Sequence, residues 1–248
     1  MFEQVAFCNK KHLKLSEYPE LKDLWYGPVG NKVFCNLKIL VVHKCDFLSN
    51  VLLSSNLQQA LHSLEELEVS ECDSIEAVFD VSVMGDTDLH VKETSQLKKL
   101  TLSSLSNLKH IWSNDPSKII SYRNLQVVKV VECQNLIHMF SVSLCKHLLH
   151  LEELNIESCG IEEIIAIEEG SVEARFDFPH LTILRLIKLT KLTSFYPGRH
   201  TLECPSLKTL NVYLCEALQI FTFDKVDEVE FSSQQALFNL QKVYSLAL

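Results

Sequence analysis

The chain has 248 residues, 47% of them apolar and 22% charged, a globular balance that excludes a disordered polyelectrolyte. A formal net charge of −9 argues against nucleic acid as a partner, because a broad basic surface is what phosphates require. Six glycines and 6 prolines exclude collagen-like and low-complexity chains and leave little for phosphate-binding loops; the 9 cysteines are the unusual feature.

The opening, MFEQVAFCNKKHLKL, has no basic segment followed by an apolar one, so it does not read as a secretory signal. No apolar run approaches the ~18 residues of a membrane span. No N-x-[ST] acceptor occurs. Together these predict a cytoplasmic, reducing setting in which the cysteines are thiols.

The template L-x-x-L-x-L-x-x-C/L-x-x-L then recurs along the chain. A degenerate copy passes through Leu13, Leu15, Tyr18, Leu21 and Leu24. Clear copies begin at Leu37, Leu64, Leu97, Leu125, Leu151, Leu181 and Leu207, and a broken one at Leu240 and Val243. The copy at Leu151 is one residue short in its second half, Cys159 being followed by Ile161. Starting points from Leu37 onward are separated by 27, 33, 28, 26, 30, 26 and 33 residues, a mean of 29. That lies at the long end of the leucine-rich-repeat range.

Within each copy the L-x-L core alternates with period 2, which predicts a short strand with alternate side chains turned inward. The residue three places on must fit inside the coil. Cys45, Cys72, Cys133, Cys159 and Cys215 hold that rung, with Tyr18, Leu105 and Leu189 in the other copies. A thiol is small and apolar and still a weak donor, so it packs among leucines and reaches a backbone carbonyl. A second apolar pair closes each unit: Val78-Phe79, Ile111-Trp112, Met139-Phe140, Ile164-Ile165 and Ile220-Phe221. No unit buries its own face alone, so stacking supplies the core.

Residues 49–67 and 141–154 have helical spacing. Residues 81–96 and 166–179 are polar and acidic and are expected to be surface loops between repeats. The predicted fold is an α/β leucine-rich-repeat solenoid, a single domain over 1–248 of about eight to nine repeats. A parallel sheet forms its concave side, with irregular or short helical segments outside.

Eight strands about 4.8 Å apart make a ladder about 40 Å long. Its outward positions are Ile39, Val41 and His43; Glu66, Glu68 and Ser70; Lys99, Thr101 and Ser103; Val127, Lys129 and Val131; Glu153, Asn155 and Glu157; Ile183, Arg185 and Ile187; Thr209, Asn211 and Tyr213. Ile, Val and Tyr at solvent-facing positions form an expected exposed apolar patch, which marks a protein-binding surface. The plainer reading of the same residues is β-propensity without a ligand.

Cys145, His147 and His150 lie close in sequence, and Cys133 precedes His138, but no C-x-x-C occurs and no second pair sits at zinc spacing. No metal site and no cofactor are expected. A catalytic cysteine needs an exposed, electropositive pocket, which buried rung thiols in an acidic chain lack. The pairs Glu65-Glu66, Glu152-Glu153, Glu162-Glu163 and Glu168-Glu169 recur with the repeat and read as a solvated face. No catalytic residue is expected, and the chain is not expected to be an enzyme.

The segments LEELEVSECDSIEAVF, LKKLTLSSLSNLKHIW, LQVVKVVECQNLIHMFSVSLCKHLLHLEELNIESCGIEEII and LKTLNVYLCEALQIF resemble the C-terminal leucine-rich-repeat region of plant intracellular immune receptors of the coiled-coil nucleotide-binding type. The likeness covers about residues 10–248. It implies a sensor and autoinhibitory region in defence. The implied partners are a pathogen effector, a guarded host protein or the receptor's own nucleotide-binding domain. The phosphate-binding loop G-x-x-x-x-G-K-[ST] of such receptors does not occur here, so the chain is expected to be a fragment or truncated product. Two further readings stand beside this one: a substrate-recruiting subunit of an F-box ubiquitin ligase, and a non-functional receptor remnant.

Overall fold

The computed structural model describes residues 9–18, 34–46, 50–80, 93–114, 120–167, 174–198, 200–222 and 236–239. In chain order the elements are β1 (His12–Ser16), β2 (Ile39–His43), β3 (Val51–Leu53), α1 (Ser55–Ala60), β4 (Glu66–Ser70), β5 (Ala77–Phe79), β6 (Glu93–Thr94), β7 (Lys99–Ser103), β8 (His110–Trp112), β9 (Ile120–Ser121), β10 (Val127–Val131), α2 (Val142–Cys145), β11 (Glu153–Glu157), β12 (Ala174–Asp177), β13 (Ile183–Ile187), β14 (His200–Glu203), β15 (Thr209–Tyr213), β16 (Gln219–Thr222) and β17 (Ala236–Asn239).

Eight five-residue strands, one for each of the first eight template copies, form a sheet in the order β1-β2-β4-β7-β10-β11-β13-β15. Every pair is parallel and in the same register, so Leu40, Leu67, Leu100, Val128, Leu154, Leu184 and Leu210 stack in one row. This is a leucine-rich-repeat solenoid. The inward rows are dry: Leu100, Val128, Val130, Ile156, Leu184 and Leu186 are all fully buried. Each such side chain contributes roughly 1.5–3 kcal/mol through removal from water. The ninth copy, at Leu240 and Val243, lies outside the described residues.

Two turns recur. The template's first leucine donates its N–H to a carbonyl three residues back, as Leu37 does to Phe34 (3.0 Å), Leu125 to Tyr122 (3.0 Å) and Leu181 to Phe178 (3.2 Å). After the strand, the first residue of the turn has a left-handed backbone in all eight copies: Glu17, Lys44, Glu71, Ser104, Glu132, Ser158, Lys188 and Leu214, with φ between 49° and 60°. None is glycine, so each costs about 1–2 kcal/mol. In return, the first seven each donate an N–H to the last carbonyl of the next strand, at 2.7–3.1 Å, and the chain swings the rung residue inward.

The rung behaves as expected where neighbours enclose it. Cys45, Cys72 and Cys133 are fully buried and donate their thiols to the carbonyls two residues back, at 3.3–3.5 Å. Cys159 and Cys215 make the same bond at 3.2 and 3.6 Å. Tyr18 departs from this, being 54% exposed. Its strand is the edge of the sheet, and a phenol is too large for a slot that fits a thiol. The short copy is closed by Gly160, whose N–H meets the Cys133 carbonyl at 3.3 Å. A Cβ there would lie 1.8 Å from the Gln134 carbonyl oxygen.

The second half of each unit carries short strands more than helix. β3, β5 and β8 form a parallel three-stranded sheet, and a bridge joins Phe140 to Ile165. The expected closing pairs Val78-Phe79, Ile111-Trp112, Met139-Phe140 and Ile164-Ile165 are all buried, and Phe79 and Trp112 stack with ring centroids 5.9 Å apart. Ile220-Phe221 has no described side chains. The helical spacing yields only the short α1 and α2. The expectation that 166–179 is a surface loop is wrong in its second half. There Ala174, Phe176 and Phe178 alternate inward and are buried, and β12 pairs with β14. The acidic composition of the stretch conceals that period-2 signal. Residues 81–92 lie outside the described set, and Glu93–Thr94 at the end of the other expected loop pairs with Ile120–Ser121.

Candidate protein-binding surface

The shared register turns the outward positions into three rows running across the strands. The first row is Ile39, Glu66, Lys99, Val127, Glu153, Ile183 and Thr209. The second is Val41, Glu68, Thr101, Lys129, Asn155, Arg185 and Asn211, and the third is His43, Ser70, Ser103, Val131, Glu157, Ile187 and Tyr213. All the sequence-predicted residues therefore share one face.

Their exposure differs from the expectation. Val127, Val131, Ile183 and Ile187 are half-buried, and among the apolar members only Tyr213, on the edge strand, is freely exposed at 57%. Parallel strands stand about 4.8 Å apart, so each outward side chain is walled in by the residue beside it. The apolar surface is thus a set of shallow rims, not a protruding patch.

Between the rims lies a charge cluster. Glu153 accepts from Arg185 Nη1 at 2.7 Å and pairs with Lys129 Nζ at 3.2 Å, so one carboxylate joins three consecutive repeats. Lys99 pairs with Glu66 at 3.7 Å. Glu68 is exposed. Two polar atoms on this face, Thr101 Oγ1 and Asn155 Oδ1, are shielded from solvent and have no hydrogen-bond partner among the described residues. A buried unpaired polar atom costs on the order of 1–3 kcal/mol. Sequence reasoning placed Lys129, Glu153 and Arg185 on this face without seeing that they bond, because bonding partners lie a repeat or more apart. Aligning the copies by their first leucine puts Glu153 between Lys129 and Arg185, the signal that could have found it.

At the entry to the strands Lys38 and Lys98 both donate to Glu65, the second at 2.8 Å. These bonds hold the Glu65 carboxyl down at about 2. Next to the face, His43 Nδ1 lies 2.9 Å from Ser70 Oγ.

The cysteines and histidines weighed for chemistry are distributed elsewhere. Cys145 is buried on α2, and among the described residues no group of three or more His, Cys, Asp or Glu is arranged to hold a metal. No disulfide joins any of the eight described cysteines. Burial pushes the Cys72 thiol up to about 11, and the contact with Cys133 together with burial raises Cys159. Neither of these two is an activated nucleophile.

A single parallel ladder, a cysteine or leucine rung and two recurring turns define a leucine-rich-repeat protein, a scaffold for contact with other proteins. Residues 9–160 match the family described as plant disease resistance protein RPS2-like, leucine-rich repeats, and the chain belongs to that family. Beyond residue 160 the strands at Ile183–Ile187 and Thr209–Tyr213 continue the same ladder in register. No curated protein and no solved structure matches the chain. Among the described residues no helix is long and apolar enough to cross a membrane.

Proposed function

We propose that the chain is a non-catalytic recognition domain of eight to nine repeats in plant defence. In this reading it is the sensor and autoinhibitory region of a coiled-coil nucleotide-binding receptor acting in the cytoplasm. Its concave sheet is the contact surface. The observation that carries the reading is the face itself: Val127, Val131, Ile183, Ile187 and Tyr213 rim the cluster of Lys129, Glu153 and Arg185 across β10 to β15. Tyrosine and arginine are enriched in protein interfaces, and half-buried valine and isoleucine beside them add apolar area to the same face. Five buried rung cysteines with donated thiols support a reducing compartment.

Partners are a pathogen effector, a guarded host protein or the receptor's nucleotide-binding domain. Any of them acts by differential affinity for the resting and active states. The test is amide-exchange footprinting of the chain with a coexpressed nucleotide-binding domain of an RPS2-like resistance protein. Added protection is expected on β10–β15. Protection confined to the opposite face contradicts the reading. No observation favours the F-box adaptor or the receptor remnant.

A further inference from the structure

The outward residues of β10 and β13 repeat one pattern. Lys129 stands between Val127 and Val131, and Arg185 between Ile183 and Ile187. β11 separates the two strands, and its Asn155 is in register with both cations. Residues two apart on a strand share a face at about 6.8 Å. Each cation therefore has an apolar side chain about that far along the strand on either side.

Charge does not balance at this point. Lys129 Nζ and Arg185 Nη1 reach the same oxygen, Glu153 Oε1, at 3.2 and 2.7 Å. The two nitrogens are thus no more than about 6 Å apart, a gap that the two oxygens of one further carboxylate can bridge. Two cations sharing one carboxylate leave one positive charge in surplus. The neighbouring charges on the face are matched one to one, Lys99 with Glu66 at 3.7 Å and Lys188 with Glu157 at 3.8 Å. Glu153 takes one of the five N–H groups of the Arg185 guanidinium. Between the cations, Asn155 Oδ1 has no hydrogen-bond partner among the described residues. The net charge of −9 does not cancel this surplus, because salt screens charges more than about 8 Å away.

We propose that Lys129 and Arg185 together anchor one acidic side chain of a partner protein. The occupant is an extended segment with the pattern apolar-x-Asp/Glu-x-apolar, whose period-2 spacing matches the strands beneath it. Its carboxylate bridges the two cations. Its apolar residues lie against Val127 and Ile183 on one side and against Val131 and Ile187 on the other. In the free chain Glu153 holds both cations in place and competes with the incoming acid. The proposal rests on the concave-surface reading and adds the chemistry of the partner.

The experiment is selection of a random peptide library, displayed on phage, against the immobilised full chain. Enriched peptides are expected to carry an acidic residue with apolar residues two places to either side. A synthetic peptide of the enriched sequence should protect amides of β10–β13 from exchange. Its affinity should fall about tenfold in Lys129→Gln or Arg185→Gln, and on replacing its acid by the amide. Lys99→Gln and Lys188→Gln should leave it unchanged. Glu153→Gln removes the competitor and should tighten binding about threefold or more, an effect opposite in sign to that of a variant that folds poorly. Peptides that protect β10–β13 without needing an acid overturn the acidic anchor and leave the concave-surface reading standing. Protection confined to the opposite face counts against both. Enrichment of basic or wholly apolar peptides, no enrichment, or weaker binding by Glu153→Gln also overturns the anchor.

Discussion

The interior strands and the two edge strands of the large sheet follow one template and have different fates. In β4, β7, β10, β11 and β13 the two inward residues are essentially inaccessible, as with Leu100 and Leu102 or Leu184 and Leu186. In β1 and β15 the same positions, Leu13, Leu15, Leu210 and Val212, are only partly buried against the core. The rung shows the same contrast, from fully buried Cys72 and Cys133 to exposed Tyr18. Sequence alone makes these copies equivalent; position in the stack decides how much each leucine contributes. A repeat draws its stability from both neighbours, and among the described residues an edge strand of the sheet has one.

Substitutions at matched positions can break or sharpen this contrast. The largest effect is expected for Leu154→Asp, which places an unpaired charge in the buried row and should leave the chain unfolded in the absence of denaturant. Leu210→Asp, at the same template position two repeats on in the edge strand, should leave a cooperative urea transition. For truncation to alanine the difference is about 3 kcal/mol at Leu154 against about 1 kcal/mol at Leu210, read from the same titration. Equal losses would mean that the stack does not share its stability between neighbours.

Next comes the shortened copy. Gly160→Ala forces a Cβ toward the Gln134 carbonyl and should cost roughly 2–3 kcal/mol in denaturant midpoints. A neutral result would show that the turn has more room than its hydrogen bond to Cys133 implies. The left-handed position is milder. Ser104→Val should lose about 1–2 kcal/mol, while Ser104→Gly should stay within a few tenths, because relief of strain is offset by a freer unfolded chain.

The smallest effect is a pH slope. His200 packs against Phe176, Phe195 and Tyr196 and donates Nδ1–H to the Gly198 carbonyl at 2.9 Å. Burial lowers its pKa, outweighing that hydrogen bond. The folded state therefore takes up a proton less readily than the unfolded state. Its contribution is complete above the ordinary histidine value of about 6.5 and declines as pH falls below it. His200→Phe should flatten the decline in melting temperature between pH 7 and pH 5.5; an unchanged slope assigns it to other groups.

The large sheet was legible in the sequence because its signal is local: a period-2 core followed by a rung at a fixed offset. Leu37 to Leu207 appear in the structure as the copies set them out. Much of the opposite side was not legible. There the connections vary in length, and Ala174-Arg175-Phe176-Asp177-Phe178 hides a strand inside an acidic stretch. The face residues were assigned to the right side from alternation alone, but their half-burial follows from neighbours across the ladder. The bonds of Glu153 to Lys129 and Arg185, and the meeting of His110 with His138, join residues of consecutive repeats. Only stacking reveals them.

The claim that the concave sheet recognises a partner without contributing to the core is tested most directly by one variant carrying Val127→Glu, Val131→Glu, Ile183→Glu and Ile187→Glu. Affinity for the coexpressed nucleotide-binding domain and melting temperature are measured on the same preparation. The expected result is loss of binding with a melting temperature within roughly 5 °C of the unaltered chain, since each half-buried substitution costs only a few tenths of a kcal/mol to about 1 kcal/mol from like charges across strands. Binding that persists, or a melting transition that disappears, contradicts the assignment of this face.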